Sequence, residues 1–348
     1  MAIEKKSSGV PDPELVIKPG KVPAAMIERL LSLPRRVDPR VLVGPVAGED
    51  AAVVDLDRGA VVVTTDPITF PTPRPGYYAV HVNANDVAVM GAQPLYFTLT
   101  LIMPPGTTFG LIEAVFKDAV EAGDSLGVVL IGGHSEVTEA VRTPVLVVSM
   151  FGRLTVPAPL CTGRGRPGDS IVQVGPLAVE GTSILAARHR ERLTAELGAE
   201  LVERAAGFLY DPGLSVVAPA RLAAEKLEVG AMHDPTEGGL ATGLREIAQA
   251  SGTGLEIRRD RLILAEETIK ICRLLGYDPL GLISSGCLLF TVPGGQAKDA
   301  VLTMTRAGYP AAEIGRLTDR PGEYMLDLGS GRRTGLPGFD IDELARGG

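Results

Sequence analysis

Four clusters in the 348-residue sequence combine residue types that do chemistry. The first is Gly48-Glu49-Asp50-Ala51-Ala52, adjacent acids ahead of an apolar run, with Asp66 closing the next run at Thr64-Thr65-Asp66. If the runs pair as an antiparallel hairpin, Asp50 and Asp66 fall at one edge of a sheet. Two carboxylates there suit Mg2+, which takes oxygen ligands and combines one or two carboxylates with substrate phosphates. The second cluster is Asn83-Ala84-Asn85-Asp86, running on to Met90-Gly91-Ala92. On a helix, Asn83 and Asp86 share a face with Val82, Val87 and Met90. A buried amide and carboxylate need partners, which a ligand or ion would supply.

The third cluster is Ile131-Gly132-Gly133-His134-Ser135-Glu136, an apolar strand running into a Gly-Gly turn. Glycines there would let a phosphate approach the backbone, and His134 and Glu136 would offer acid-base groups beyond a strand end. The fourth is Asp234-Pro235-Thr236-Glu237-Gly238-Gly239, with Thr236 expected as the N-cap of the helix that follows. Glycines in its first turn bare the unpaired N–H groups that form an anion site with the helix dipole. The first three clusters also read without function: Glu49 and Asp50 as solvated turn residues, Asn83 or Asn85 as an N-cap, Gly132-Gly133 as a plain turn. Capping alone does not account for two helix-destabilising glycines in the fourth.

His81, His189 and His233 have no spaced partner and are expected in the core or on the surface. Cys161, Cys272 and Cys287 are an odd number at wide spacings, which excludes a disulfide framework and a CxxC metal knuckle. The sequence has no GxxxxGK[ST], no dinucleotide fingerprint with its downstream acid and no GxSxG elbow, so P-loop and Rossmann readings are disfavoured.

Two α/β units must position these clusters. Residues 1–35 read as a mobile arm and a short helix containing Met26, Ile27, Leu30 and Leu31, and residues 36–157 as a first unit. Within it, strands are expected at Ala51 to Leu56, Ala60 to Thr65, Leu95 to Ile102, Val128 to Ile131 and Pro144 to Phe151, with helices at Ala79 to Gly91 and Leu111 to Leu126. A Gly/Pro-rich stretch separates it from a second unit over 166–335, where strands at Ser170 to Val174, Gly254 to Ile257, Leu282 to Val292 and Glu313 to Leu317 alternate with helices at Val179 to Arg188, Leu193 to Phe208, Val216 to Leu227 and Glu237 to Ala250. Residues 336–348 read as a tail. A mixed α/β, two-domain protein follows.

A net charge of −8 without a basic stripe argues against nucleic acid as a partner. No apolar stretch approaches transmembrane length and the N-terminus lacks a signal-like run, so a cytoplasmic location is expected, with no membrane partner.

The order and separation of the clusters resemble the superfamily that contains aminoimidazole ribonucleotide (AIR) synthetase, selenophosphate synthetase, thiamine-monophosphate kinase and the HypE hydrogenase-maturation family, most of all the last. The likeness runs nearly end to end, from Pro19-Gly20-Lys21-Val22-Pro23 and Val43-Gly44-Pro45 through the four clusters to Ser285-Gly286. It implies a homodimer paired through the N-terminal sheet, with ATP and Mg2+ in the cleft. Asp50, Asp66 and Asp86 would be the metal residues. Asn83, Asn85, Gly132, Gly133, Asp234, Gly238 and Gly239 would hold the nucleotide, and His134, Glu136, Thr236 and Glu237 would serve catalysis. The shared chemistry phosphorylates an oxygen, often of a carbonyl or amide, on a small or carrier-bound substrate; a small-metabolite kinase and a non-catalytic assembly partner are the alternatives. Three departures bear on the reaction. The sequence ends Leu344-Ala345-Arg346-Gly347-Gly348 where the HypE family has a cysteine that carries the carbamoyl group, His134 follows Gly132-Gly133 where that family and the thiamine kinase have Asp, and no cysteine precedes Cys161 to match that of selenophosphate synthetase.

Overall fold

The structure is a computed structural model that describes residues 39–43, 49–56, 59–69 and 72–347. The expected arm and short helix over 1–35, Gly44 and Pro45, Gly48 and the turn residues Asp57 and Arg58 lie outside them. The described residues form a mixed α/β fold on two sheets.

The first sheet contains β1 (Val41–Val43), β2 (Ala52–Asp55), β3 (Ala60–Ile68), β4 (Ala92–Met103), β5 (Val129–Val137) and β6 (Val145–Leu154), in the order β1-β2-β3-β6-β4-β5. Alternate residues of β4 and β6 are buried, so one face carries the core. Helix α1 (Pro75–Val89) packs against β3, β4 and β6, and α2 (Phe109–Leu126) packs beside it. Every residue of α1 from Gly76 to Val89 is buried, because its far side meets the second half of the chain. A helix covered all round has no solvated face, so Asn83, Asn85 and Asp86 must find partners inside the protein.

The expected strand at Val128 to Ile131 does not end in a Gly-Gly turn. β5 continues through Gly132, Gly133, His134 and Glu136, parallel to β4, with Gly132 beside Thr98 at a register shift and Gly133 beside Leu99. A Cβ on Gly133 would stand 1.9 Å from the Leu99 carbonyl oxygen, so close strand packing accounts for this glycine.

The second sheet holds β7 (Ser170–Val174), β8 (Met232–His233), β9 (Gly254–Arg258), β10 (Leu288–Val292), β11 (Ala311–Thr318), β12 (Tyr324–Asp327) and β13 (Arg333–Gly335), ordered β13-β12-β9-β11-β7-β10-β8. Its helices are α3 (Val179–Arg188), α4 (Arg190–Leu197), α5 (Ala199–Ala206), α6 (Val217–Lys226), α7 (Gly239–Ala250), α8 (Glu266–Leu275) and α9 (Ala297–Arg306). The single helix expected from Leu193 to Phe208 is broken at Gly198 into α4 and α5. β10 begins at Leu288 because 282–287 is a loop. Among the described residues no helix is long and apolar enough to cross a membrane.

The tail expected over 336–348 is docked through most of its length. Leu336, Asp342, Glu343 and Leu344 are buried, and Phe339 packs where a Cβ on Gly281 would lie. Asp342 accepts from the backbone N–H groups of Gly238 and Leu344, both at 2.8 Å, and the Glu343 carboxylate accepts from Asp278 N–H at 3.0 Å. Burial pushes the Asp342 carboxyl up to about 6 against the pull of these donors. Replacing Asp342 by Ala should strand the first-turn donor of α7 and cost about 1–3 kcal/mol; urea unfolding measures the loss, and faster amide exchange at Gly238 and Leu344 locates it.

Candidate functional site

The two sheets meet at a group of carboxylates. The β2–β3 register sets Ala52 opposite Val63, which carries Asp50 to the Thr64–Asp66 end of β3. The Thr64 hydroxyl lies 2.9 Å from Asp86 Oδ2 on α1 and 3.2 Å from the Asp50 carbonyl oxygen. From the second sheet, β8 brings His233 and the following Asp234. His233 Nδ1 is 2.9 Å from Asp50 Oδ2 and its Nε2 is 2.9 Å from Glu246 Oε2 on α7. Burial alone would lower the imidazole pKa, but Asp50 and then Glu246 outweigh it and hold it well above its usual value. A charged His233 therefore bridges the two halves of the site.

One imidazolium does not balance the acids around it. Burial, then the charges of Asp234, Asp66 and Asp50, push the Asp86 carboxyl well above the usual range, against the Thr64 hydrogen bond. Burial and then Asp50 do the same to Asp234, with His233 opposing. Both Asp234 side-chain oxygens are buried without a hydrogen-bond partner. Among the described residues, ligand atoms of Asp50, His233 and Asp234 lie within 4.8 Å of one another. Because both imidazole nitrogens already face carboxylates, the donors left over are oxygens. Excess negative charge and orphaned carboxylate oxygens fit a hard divalent cation such as Mg2+, held by Asp50, Asp86 and Asp234.

Asn83 and Asn85 build this arrangement through bonds to the protein's own backbone. Asn83 accepts from the Asp66 backbone N–H at 2.8 Å and donates to Ala79 O at 2.9 Å and Asp66 O at 3.3 Å, fixing β3 on α1. Asn85 donates to Leu214 O and accepts from Val216 N–H, both at 2.8 Å, fixing the second half on α1. Asp66 itself is exposed, with its charge turned on the cluster from the solvent side.

Other expected site residues fall elsewhere. Gly132, Gly133, His134 and Glu136 lie three strands from β3 in the sheet order, about 14 Å at roughly 4.8 Å per strand. His134 and Glu136 are exposed and face each other at 3.2 Å. Thr236 is not the N-cap of α7; Gly238 is, with φ +79°. The anion at that helix end is the protein's own Asp342. A Cβ on Gly239 would meet Leu280 O at 2.6 Å and Leu282 O at 2.7 Å, so packing explains the glycine without a phosphate. The charge of Glu237 acts on Glu180 and Asp342.

His233 and Glu246 belong to the site although neither is a sequence candidate. Their only sequence signal is the position of His233 directly before Asp234; its partners lie 183 and 13 residues away.

Residues 48–154 match the N-terminal domain and residues 166–327 the C-terminal domain of AIR synthase related proteins. Carbamoyl dehydratase HypE of Rhodobacter capsulatus is 31% identical over 304 residues, 86% of this chain and 84% of that protein. A crystal structure of the hydrogenase maturation protein HypE in complex with ATP superposes with a TM-score of 0.70 at 25% identity, covering 91% of each chain. That of Escherichia coli HypE superposes with a TM-score of 0.72 at 25% identity, covering 89% of this chain and 95% of the other.

Asp86 and Asp234 hold protons more tightly folded than unfolded. The folded chain thus binds more protons above the usual carboxylate range near 4, and stability without a cation falls as pH rises through that window. Asp86→Asn should flatten this fall and raise stability in EDTA at pH 7 by about 1–3 kcal/mol, while weakening stabilisation by added Mg2+. Thermal unfolding with and without Mg2+ reads both effects, and unchanged curves would remove Asp86 from the site.

Proposed function

The chain belongs to the AIR synthase related family, among its HypE proteins, and on that premise we propose that it is a Mg-ATP-dependent enzyme that phosphorylates a carbonyl or amide oxygen of a small or carrier-bound substrate. The buried carboxylate cluster carries this reading. Asp50 and Asp234 offer ligand atoms within 4.8 Å of each other, Asp86 lies near enough for both their charges to act on it, and both Asp234 oxygens are unpartnered, a concentration of carboxylates that a nucleotide-bound cation would neutralise. Phosphoryl transfer asks little covalent chemistry of a protein and depends on positioning and charge neutralisation. A bound Mg2+ would neutralise charge on the β- and γ-phosphates.

The chain's residues have separate tasks in this scheme. Asp50, Asp86 and Asp234 hold the cation, and Thr64 orients Asp86. His233 aims Asp50, while Glu246 holds the far side of the ring. Phosphorylating a carbonyl oxygen converts a poor leaving group into phosphate, the step a dehydration of a carbamoyl group needs. The chain's own cysteines are poorly suited to carry that group. Burial pushes the Cys161 thiol up to about 11, Cys272 up to about 12 and Cys287 higher still, so each remains a protonated thiol near neutrality.

The same reading makes the enzyme a homodimer joined along β5. That edge strand presents Val129, Ile131 and Val137, and Tyr96 of β4 and Phe116 of α2 are exposed nearby. A concavity of about 390 Å3 lies among Leu99, Phe116, Leu130 and Gly132 to Ser135. His134 and Glu136 would then lie at the interface rather than at the metal of their own chain.

Calorimetry should detect ATP binding that strengthens with Mg2+; no binding at millimolar ATP refutes the function. Product analysis separates dehydration, which releases ADP and inorganic phosphate, from a metabolite kinase, which leaves phosphate on its acceptor. Nucleotide binding with no turnover over long incubation with cell-extract metabolites would instead favour an assembly partner. Light scattering at micromolar concentration should give a dimer that Ile131→Glu converts to monomer; a monomeric native protein contradicts the β5 interface.

A further inference from the structure

The second sheet carries a charged hollow that the scheme above leaves unused. On one face of that sheet α9 packs over β7, with Ala300 and Met304 clustered on Val172 and Val174. Arg316 of β11 stands opposite Ser170, which shares that face by strand alternation. From there outward the face is charged. Register sets Arg316 beside Glu256 of β9, and Arg258 of β9 beside Asp327 of β12, which is itself opposite Arg333 of β13. Glu256 joins the two rows: its Oε2 accepts from Arg316 Nη2 at 2.9 Å, and its Oε1 lies 2.7 Å from Arg333 Nη2. A concavity of about 330 Å3 lies among these residues, with Glu313 and Gly315 completing its wall.

The hollow has a local cause. The β7–β11 register slips between Glu313 and Gly315, where β11 advances two residues while β7 advances one. At this bulge Ile314 is fully buried in the core and Gly315 has no side chain, so Glu313 and Arg316 stand apart with nothing between them. The charges around the gap are only partly satisfied by one another. Arg316 and Arg333 each meet Glu256 through a single nitrogen. Among the described residues Arg258 has one ion-pair partner, Asp260, and approaches it only to 3.8 Å. Glu313 Oε1 accepts from the Ser170 hydroxyl at 2.7 Å and Asp327 Oδ1 from the Gly329 N–H at 2.8 Å, which leaves each carboxylate a second oxygen. The arginine side chains are 45–64% exposed, and ion pairs as open as these contribute little to stability.

The lining narrows what could bind. The volume lies at the small end of the range for ligand pockets, about 300–1,000 Å3. No aromatic or aliphatic side chain lines it, so it offers nothing to stack a base or bury an acyl chain. Three guanidiniums repel a cation, and Glu256, Glu313 and Asp327 repel a multiply charged anion such as phosphate. A molecule with one carboxylate and one ammonium a few ångströms apart complements the alternation. A guanidinium fork takes a carboxylate through two N–H groups, and a carboxylate oxygen accepts from an ammonium.

We propose that this concavity binds a small α-amino acid, its carboxylate on Arg258, the least engaged of the three arginines, and its ammonium on Glu313. The site is separate from the metal residues: β9 lies four strands from β8, which carries His233, about 19 Å at roughly 4.8 Å per strand.

The test is saturation-transfer NMR on the full chain with each of the twenty standard amino acids, and with acetate, ethylammonium and inorganic phosphate as single-charge-type controls. At least one amino acid should bind saturably at millimolar concentration, with a Kd at least about tenfold below those of the three controls. Arg258→Gln and Glu313→Gln, the second of which keeps an acceptor for Ser170, should each raise that Kd roughly tenfold or more. Both variants should unfold cooperatively and titrate with Mg-ATP as the native protein does. Absence of binding by every amino acid, equal affinity for a control, or native affinity in both variants overturns the proposal. So does displacement of the bound amino acid by Mg-ATP, which would place it in the cleft instead.

Discussion

Electrostatic repulsion among buried carboxylates is the constraint around which this fold is arranged. Asp50 and Asp86 come from the first sheet and its central helix, and Asp234 from the second sheet. Only the approach of the two halves places them together. Nothing in packing energetics favours such a meeting, because taking ionised carboxylates out of water is costly even before they repel. The protein offsets part of the cost with one imidazolium and one hydroxyl, His233 and Thr64. The remaining imbalance is a capacity to bind a cation, held in readiness by a scaffold whose α1 is buried along nearly its whole length. Function here draws on stability that the two apolar cores supply.

Much of this was legible in the sequence. Strand-then-acid patterning located Asp50 and Asp66, and apolar residues flanking Asn83 and Asp86 marked a helix with polar groups turned inward. Ser170–Val174 and Val179–Arg188 match their expected limits. Glycine was the hardest residue to read. Gly132-Gly133 and Gly238-Gly239 looked like phosphate cradles, but a Cβ at Gly133 or Gly239 would strike neighbouring main chain. A local pattern cannot distinguish a glycine that makes room for a ligand from one that makes room for another strand or loop.

What the sequence hid was long-range. His233 had no partner at metal-ligand spacing because its partners arrive from the remote segment ahead of β2 and from α7. The C-terminal segment looked like a tail because it lacks periodicity, and it docks through Asp342 and Glu343, charged residues that composition assigns to solvent.

Asn85 joins the two halves through the main chain of Leu214 and Val216, not through their side chains. A backbone amide or carbonyl is presented by nearly any residue, whereas the paired donor and acceptor of a carboxamide belong to few. Evolutionary freedom at this seam should therefore be lopsided: positions 214 and 216 can drift among residues that fill the same apolar space, while position 85 is held to Asn for as long as lineages keep the two halves in register.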